Sequence, residues 1–420
     1  METLPEVPTR WQVEGLRSPP AYYRRLARIL DGPVTEHDAD VIRLRDGLTR
    51  ADPVADAFVA WAAGQPPGVA RAVFGKAVDE GLSALSDPPE PLVRWLEPLE
   101  KEPAWLDREA MRLASRVAWR VGPAGGAVLS AMALMGGYRS SAAVKPLAMT
   151  GALDKMVVRR IAETARFVQD TYDSETTSRF SPGFRSACRV RLMHAMVRRS
   201  LAARADWDTG AWGVPINQTD TSATHLEFSA IYLSGLTMMG FRFTPEEREA
   251  IMHKWRYVAV LMGADDALLA PDFKAGLRHM YIHAVTNPHA DADSRALAKA
   301  LHELPMRSAR TPLERAQARV QTRLFTAFSR LTLGDEAVDD IGLPPAPWHP
   351  LLLVLSAGRF GAETARRIIP GATERAVRRG RALQREITNQ LVGSEKVRYV
   401  PYAQRRPKTA APLAAAAALG

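Results

Sequence analysis

Cysteine is nearly missing from this 420-residue chain. Cys188 stands alone, which excludes a disulfide framework and any zinc or iron–sulfur centre built from several thiolates. Long apolar runs are missing too. The N-terminus, Met1-Glu-Thr-Leu-Pro-Glu6, is acidic and bears a proline, and no apolar stretch follows a basic start. No secretory leader is read, and the expected setting is the cytoplasm. The best membrane-span candidate, Val121 to Tyr138, holds five glycines and a proline and reads as a buried core helix. Period-two alternation is almost absent, which argues against sheet-rich folds. The chain lacks Gly-x-x-x-x-Gly-Lys-Ser/Thr, a strand-borne Gly-x-Gly-x-x-Gly, His-Glu-x-x-His and Gly-x-Ser-x-Gly. It also lacks the two Glu-x-x-His pairs of a di-iron bundle.

What is there begins with charge. Lys and Arg number 56 against 46 Asp and Glu, a net charge of +10. Between Arg359 and Lys408 stand 13 basic residues and four acids, so nearly the whole excess lies at one end of an otherwise near-neutral chain. Arg375, Arg378, Arg379, Arg381 and Arg385 fall all round a helix, and after Phe360 no aromatic interleaves with the basic residues before Tyr399 and Tyr402. Nucleic acid is therefore not the expected partner. The basic end suits peripheral docking on an anionic membrane; solvated helix arginines without a partner are the alternative.

Apolar residues recur at i, i+3, i+4 spacing, as in Val157 to Thr171, Arg185 to Ala203, His225 to Met239 and Pro245 to Met262. The fold class is all-α, with 46% hydrophobic residues supplying one large helical domain. Thr244-Pro-Glu-Glu247 spells a capping box. Asp206 to Thr221 reads as an ordered loop between two helices, and Gly342 to Pro350 carries four prolines and breaks the chain. The expected organisation is an N-terminal helical extension over 1–50 and a body over 51–340. Basic helices over 351–400 pack on that body, and a low-complexity flexible tail follows over 401–420.

Two helices carry chemistry. In Arg185 to Ser200, His194 sits among Val190, Leu192, Met193, Ala195, Met196 and Val197, the most apolar surroundings of the nine histidines. Arg191 and Arg198 share its face, one turn to either side. An imidazole in an apolar slot bracketed by two guanidinium groups suits haem, which needs a ligand for iron, an apolar cleft and cations for its propionates. A core histidine bonded to a carbonyl, with arginines snorkelling to solvent, is the alternative. In the preceding helix, Arg160, Thr164 and Phe167 fall on one stripe with Glu163 beside it. Such a cluster offers hydrogen-bond donors for dioxygen and a titratable group; an exposed helix with an Arg159–Glu163 pair is its alternative. His279 and His283, spaced i, i+4, read as a surface pair rather than a metal site, and Cys188 reads as core packing. Asn217, Gln218 and Asp220 are expected to brace a loop, with His253 and Trp255 as packing groups.

Met135-Gly-Gly-Tyr-Arg139, Gly151-Ala-Leu, Arg160-Ile-Ala-Glu-Thr164, Val190-Arg-Leu-Met-His-Ala-Met-Val-Arg198, Trp212-Gly-Val-Pro-Ile-Asn-Gln-Thr219 and His253-Lys-Trp-Arg-Tyr-Val-Ala-Val-Leu-Met-Gly263 follow one another in that order. This ordered set, over roughly residues 50 to 300, resembles the family of the latex clearing protein (rubber oxygenase) and the mycophenolic-acid-pathway oxygenase. The resemblance implies a globin-like helical core, one haem b and dioxygen-dependent cleavage of carbon–carbon double bonds. By position it makes His194 the proximal iron ligand and matches Arg160 and Thr164 to the distal arginine and threonine, 34 and 30 residues earlier. Where the rubber oxygenases carry a capping lysine this chain has Glu163, and Ser140 to Met149, where their catalytic glutamate falls, has no acid. Glu163 is therefore expected to take the proton-transfer role, and a terpenoid or unsaturated lipid is expected in place of rubber. A haem carrier, sensor or peroxidase-like protein on the same scaffold, or a helical binding module without chemistry, are the competing functions.

Overall fold

The computed structural model describes residues 7–20, 23–24, 27–28, 30, 32–150 and 153–392, the side chains of residues 153–156 and 158 excepted. The expected tail at 401–420, and with it Lys396, Arg398, Arg405, Arg406 and Lys408, lies outside them. Among the described residues there are helices and no strand, so the all-α reading holds.

The helices that build the site start where short polar side chains supply the missing acceptors for first-turn amides. Asp52 accepts from the amide of Ala55 to open α1 (Pro53–Ala63), and Asp107 accepts from Glu109 and Ala110 to open α2 (Arg108–Val121). Next come α3 (Pro123–Tyr138), α4 (Ser141–Met149) and α5 (Leu153–Asp173). Ser181 caps α6 (Pro182–Ala202). Asn217 caps Gln218–Leu226, which runs through a π segment, Glu227–Ile231, into Tyr232–Met238; together these form α7. The predicted capping box of Thr244 and Glu247 opens α8 (Pro245–Leu261). Then follow α9 (Phe273–Thr286), α10 (Ala292–His302), α11 (Pro312–Leu333), α12 (His349–Ile368) and α13 (Ala372–Val392).

The span expected to be a single loop, Asp206 to Thr221, is more regular than that. Thr209–Trp212 forms one helical turn, and the Asn217 cap starts α7 eight residues before His225. The apolar stretch from Val121 to Tyr138 is likewise not straight. The chain turns at Gly122, whose φ of 55° favours glycine, and α2 meets α3 at 85°. Among the described residues no single helix is long and apolar enough to cross a membrane.

The core forms around α2, against which α8 and α13 pack, while α5 packs on both α6 and α13. Phe58, Phe74 and Trp95 make one aromatic knot, with ring centroids 5.3–5.9 Å apart. Trp255 makes another: Phe228 stacks on it at 4.6 Å, while Phe167 and Tyr172 meet it edge-on. Each such buried ring is worth about 1.5–3 kcal/mol of transfer free energy. Lining the functional helices with them fixes where the polar groups between them point.

Candidate active site

Helices α5 and α6 are joined by a tight turn, and its fixed shape sets their register. Glu175, Thr177 and Phe180 hold positive φ in it. Buried Lys254 of α8 donates to the carbonyl of Glu175, and Trp255 donates to the Tyr172 hydroxyl at 2.8 Å. Arg160 lies 13 residues before the end of α5 and His194 lies 12 residues after the start of α6. At about 1.5 Å per residue the antiparallel pair brings them to one level.

His194 is surrounded by protein yet only half-buried, so its ring borders an internal space. Leu192, Met193 and Met196 pack around it on the core. Burial, and then the positive charge of Arg198, pushes its pKa down to about 4 against a weaker pull from Asp52. It is a neutral imidazole at pH 7, and among the described residues none hydrogen-bonds it. His225 of α7, 5% exposed, is its electrostatic neighbour, with a pKa pushed down to about 3 by burial and then by His194. Its Nδ1 is buried without a partner. The sequence reading missed His225, because nothing in Ala-Thr-His-Leu-Glu marks it as inward.

Arg191 and Arg198 do not face that space as free cations. Arg191 forms two bonds to Asp52, at 2.7 and 2.8 Å, and lies over the Trp95 ring at 4.9 Å. Arg198 bonds both oxygens of Asp56, at 2.8 and 2.9 Å, and the carbonyl of Ile216. Both charges are thus matched by carboxylates, and the two pairs clamp α6 onto α1.

On α5, the Arg160 guanidinium donates to the carbonyl of Leu147 at 3.3 Å. Burial lowers its pKa, against the phenol of Tyr138 and the carboxylate of Glu163. Phe167 is buried, while Thr164 between them is exposed. Arg160 is half-buried, so the stripe closes over Phe167 and opens toward the threonine. Glu163 is bonded to Arg159 at 3.1 Å; the expected proton-transfer group thus has its charge matched by a neighbour on its own helix.

The remaining sequence candidates fall in supporting places. Cys188 is a free, buried thiol pushed up to about 12 by burial. Asn217 caps α7, and Gln218 ties it to Ala51, Gly263 and Asp265. Burial alone would raise the pKa of Asp220, but Arg10 and His283 outweigh it and hold that carboxyl well below the usual range. His253 accepts from the amide of Asp107. His279 and His283 are not a surface pair: both are buried, and each faces a different carboxylate, Asp40 and Asp220, at 3.4 Å.

Among the described residues no group of three or more His, Cys, Asp or Glu side chains could hold a metal ion. A lone unpartnered imidazole in an apolar interior fits a metal that brings its other ligands with it, as a porphyrin does. The residues present therefore fit haem at the iron ligand, while Arg191 and Arg198 are already paired with Asp52 and Asp56.

A sequence model of the family described as "ER-bound oxygenase mpaB/B'/Rubber oxygenase, catalytic domain" matches residues 119–367. The rubber oxygenase of Streptomyces sp. (strain K30) is 26% identical over 272 residues, which span 62% of this chain and 62% of that protein. The matched stretch thus covers less than two thirds of the relative's length. Among solved structures, latex clearing protein in its closed state superposes with a TM-score of 0.56 at 22% identity, over 80% of this chain and 91% of that one. That likeness is one of fold.

Proposed function

The chain belongs to the family of ER-bound mpaB-type and rubber oxygenase catalytic domains, and from that membership we propose that it is a haem-b-dependent oxygenase that uses dioxygen to cleave a carbon–carbon double bond in an apolar, unsaturated substrate. The observation that carries the reading is His194, a neutral imidazole with no hydrogen-bond partner among the described residues, level with Arg160 on the facing helix. Bound there, haem b would supply the redox metal for dioxygen chemistry. His194 would offer it a ring nitrogen that needs no deprotonation at pH 7. Arg160 and the Thr164 hydroxyl, on the opposite helix, would donate hydrogen bonds to oxygen atoms of the reactants. Met193, Met196 and Phe167 would keep water out and accept an isoprenoid or lipid chain. The test is to load the purified chain with hemin and follow oxygen consumption on adding a polyprenyl or other unsaturated lipid. A loaded chain that consumes none with any such substrate would favour the carrier or sensor reading.

We infer further that the substrate is met at an anionic membrane surface. Helix α12 touches the body along one side through Leu352 and Glu363, while Leu353, Val354 and Ile368 are 60, 67 and 76% exposed. The outward side carries no charge from Pro350 to Ala365 beyond Arg359, which lies over the Phe241 ring. Arg367 at its C-terminal end, and Arg375, Arg378 and Arg379 in the first turns of α13 that follow, are exposed and form no ion pair among the described residues. An apolar face edged by unpaired arginines matches acyl chains beneath anionic headgroups.

A further inference from the structure

Helix α7 widens at the π segment Glu227–Ile231, and it packs there against a second π segment, Leu129–Leu134 of α3. A π turn inserts one residue into a helix and re-aims the side chains that follow, which is why such turns concentrate at functional sites. Here it carries a carboxylate inward. A Cβ at position 137 would lie 2.6 Å from Glu227 Oε1, so the carboxyl lies directly against the bare backbone of Gly137. The next residue, Tyr138, is buried, and its phenol faces both Glu227 and Arg160. Glu227 accepts no hydrogen bond and pairs with no cation among the described residues. It is surrounded by protein and only half-buried, so the carboxyl, like the His194 ring, borders internal space.

Its charged neighbours come from few directions. Tyr138 faces it from α3, with Arg160 of α5 behind the phenol, and Asp220 lies on its own helix. From α8 and α9 the neighbours of this helix are Trp255, Met252 and Gly276, with Arg256 as the one cation, beside His225 and Ser229 rather than at the carboxyl. His279 and His283 of α9 turn to Asp40 and Asp220. An unpaired carboxyl in this position keeps its proton at pH 7, with a pKa pushed up to about 8 by burial and then by Asp220.

We propose that Glu227, set against Gly137 and Tyr138 by the π turn, is the proton-exchanging group of the site, in place of Glu163. The assignment rests on the oxygenase reading, to which Tyr138 links it through Arg160. As a neutral acid Glu227 gives its O–H proton to an oxygen atom of the reactant. As a carboxylate it then takes a proton from water or from the departing product, so the side chain ends each turnover as it began. Tyr138, whose pKa burial lifts to about 12, keeps its own proton and can hydrogen-bond the carboxylate form. The nearby Arg160 cation stabilises that form electrostatically. Glu163, by contrast, is held in an ion pair with Arg159 on its own helix.

The test joins an optical reading to a kinetic one. In the wild-type minus Glu227→Gln infrared difference spectrum of the purified chain, a protonated-carboxyl band is expected at pH 7 and should vanish as pH rises past about 8. With hemin bound, Glu227→Gln should keep the haem spectrum of the wild type and lose about a hundredfold or more in turnover, the usual scale for a general acid. Glu227→Asp should restore part of it with a displaced pH profile. Folding is controlled through thermal stability. A carboxyl protonated only when folded loses stability as pH rises from 4.5 through about 8, so Glu227→Gln should gain on the wild type toward pH 9. Absence of the infrared band, or full turnover by a haem-loaded Glu227→Gln, overturns the assignment. A wild type that takes up no hemin fails the oxygenase reading instead, and that is a different measurement.

Discussion

His194 and His225 stay uncharged because the interior around them solvates an imidazolium poorly, and because Arg198 beside the first and His194 beside the second disfavour a further positive charge. Their folded-state pKa values, about 4 and about 3, lie below the ordinary 6.5, so below that pH the unfolded chain binds protons the folded chain refuses. The stability they permit is complete above pH 6.5 and is lost as pH falls toward 4. Replacing His225 with Leu should therefore reduce the loss of unfolding free energy between pH 7 and pH 4 by about 1–3 kcal/mol, measured by denaturant titration. An unchanged acid limb would show that His225 is not held neutral. Of these residues, His194 was legible in the sequence because its neighbours in the chain are apolar on every side. His225 and Glu227 were not, since each sits in an ordinary amphipathic pattern and is turned inward by a helix with a π turn, a device with no signature in residue order.

Helices α1 and α6 are fastened by two ion pairs, and these differ from the pairs on the surface. Asp52 and Arg191 are 8 and 9% exposed at their side chains, so removing one partner strands a buried charge. Asp52→Ala should cost about 3–5 kcal/mol, more than the roughly 1 kcal/mol expected from its lost helix cap alone. Glu90→Ala, which breaks the exposed Arg94–Glu90 pair, should cost under about 1 kcal/mol. Equal costs in equilibrium unfolding would contradict the distinction. Element boundaries were readable where the chain spells its caps, as in Thr244-Pro-Glu-Glu247. The partners of Arg191 and Arg198 were not, because Asp52 and Asp56 stand 139 and 142 residues away and only tertiary packing brings them near. Two arginines flanking a histidine on one helix therefore read as free cations, whereas each has a carboxylate partner on α1 or at its cap.

Across the whole molecule, the charge excess and the exposed apolar side chains gather toward one end of the chain. Seven large apolar residues between Leu351 and Ile369 are exposed, on or beside a helix that contacts the body along one side. The basic excess was plain from the sequence. The apolar face was not, because Leu351-Leu-Leu-Val-Leu355 reads equally well as core until packing shows which sides are covered. Docking on vesicles of phosphatidylserine and phosphatidylcholine should be strong at low salt and weaken as ionic strength rises. A Leu353→Asp, Val354→Asp double variant should bind at least tenfold more weakly while melting as the wild type does, since both side chains stand in solvent. Equal sedimentation of wild type and variant with the vesicles would remove this face from the account.

The central claim, that the neutral His194 holds a haem, is tested most directly by titrating the purified chain with hemin and recording its absorption spectrum. A Soret band is expected that saturates at about one haem per chain and is largely lost in His194→Ala, with unfolding behaviour otherwise kept. A folded chain that stays colourless, or a His194→Ala variant that binds hemin as the wild type does, would contradict it.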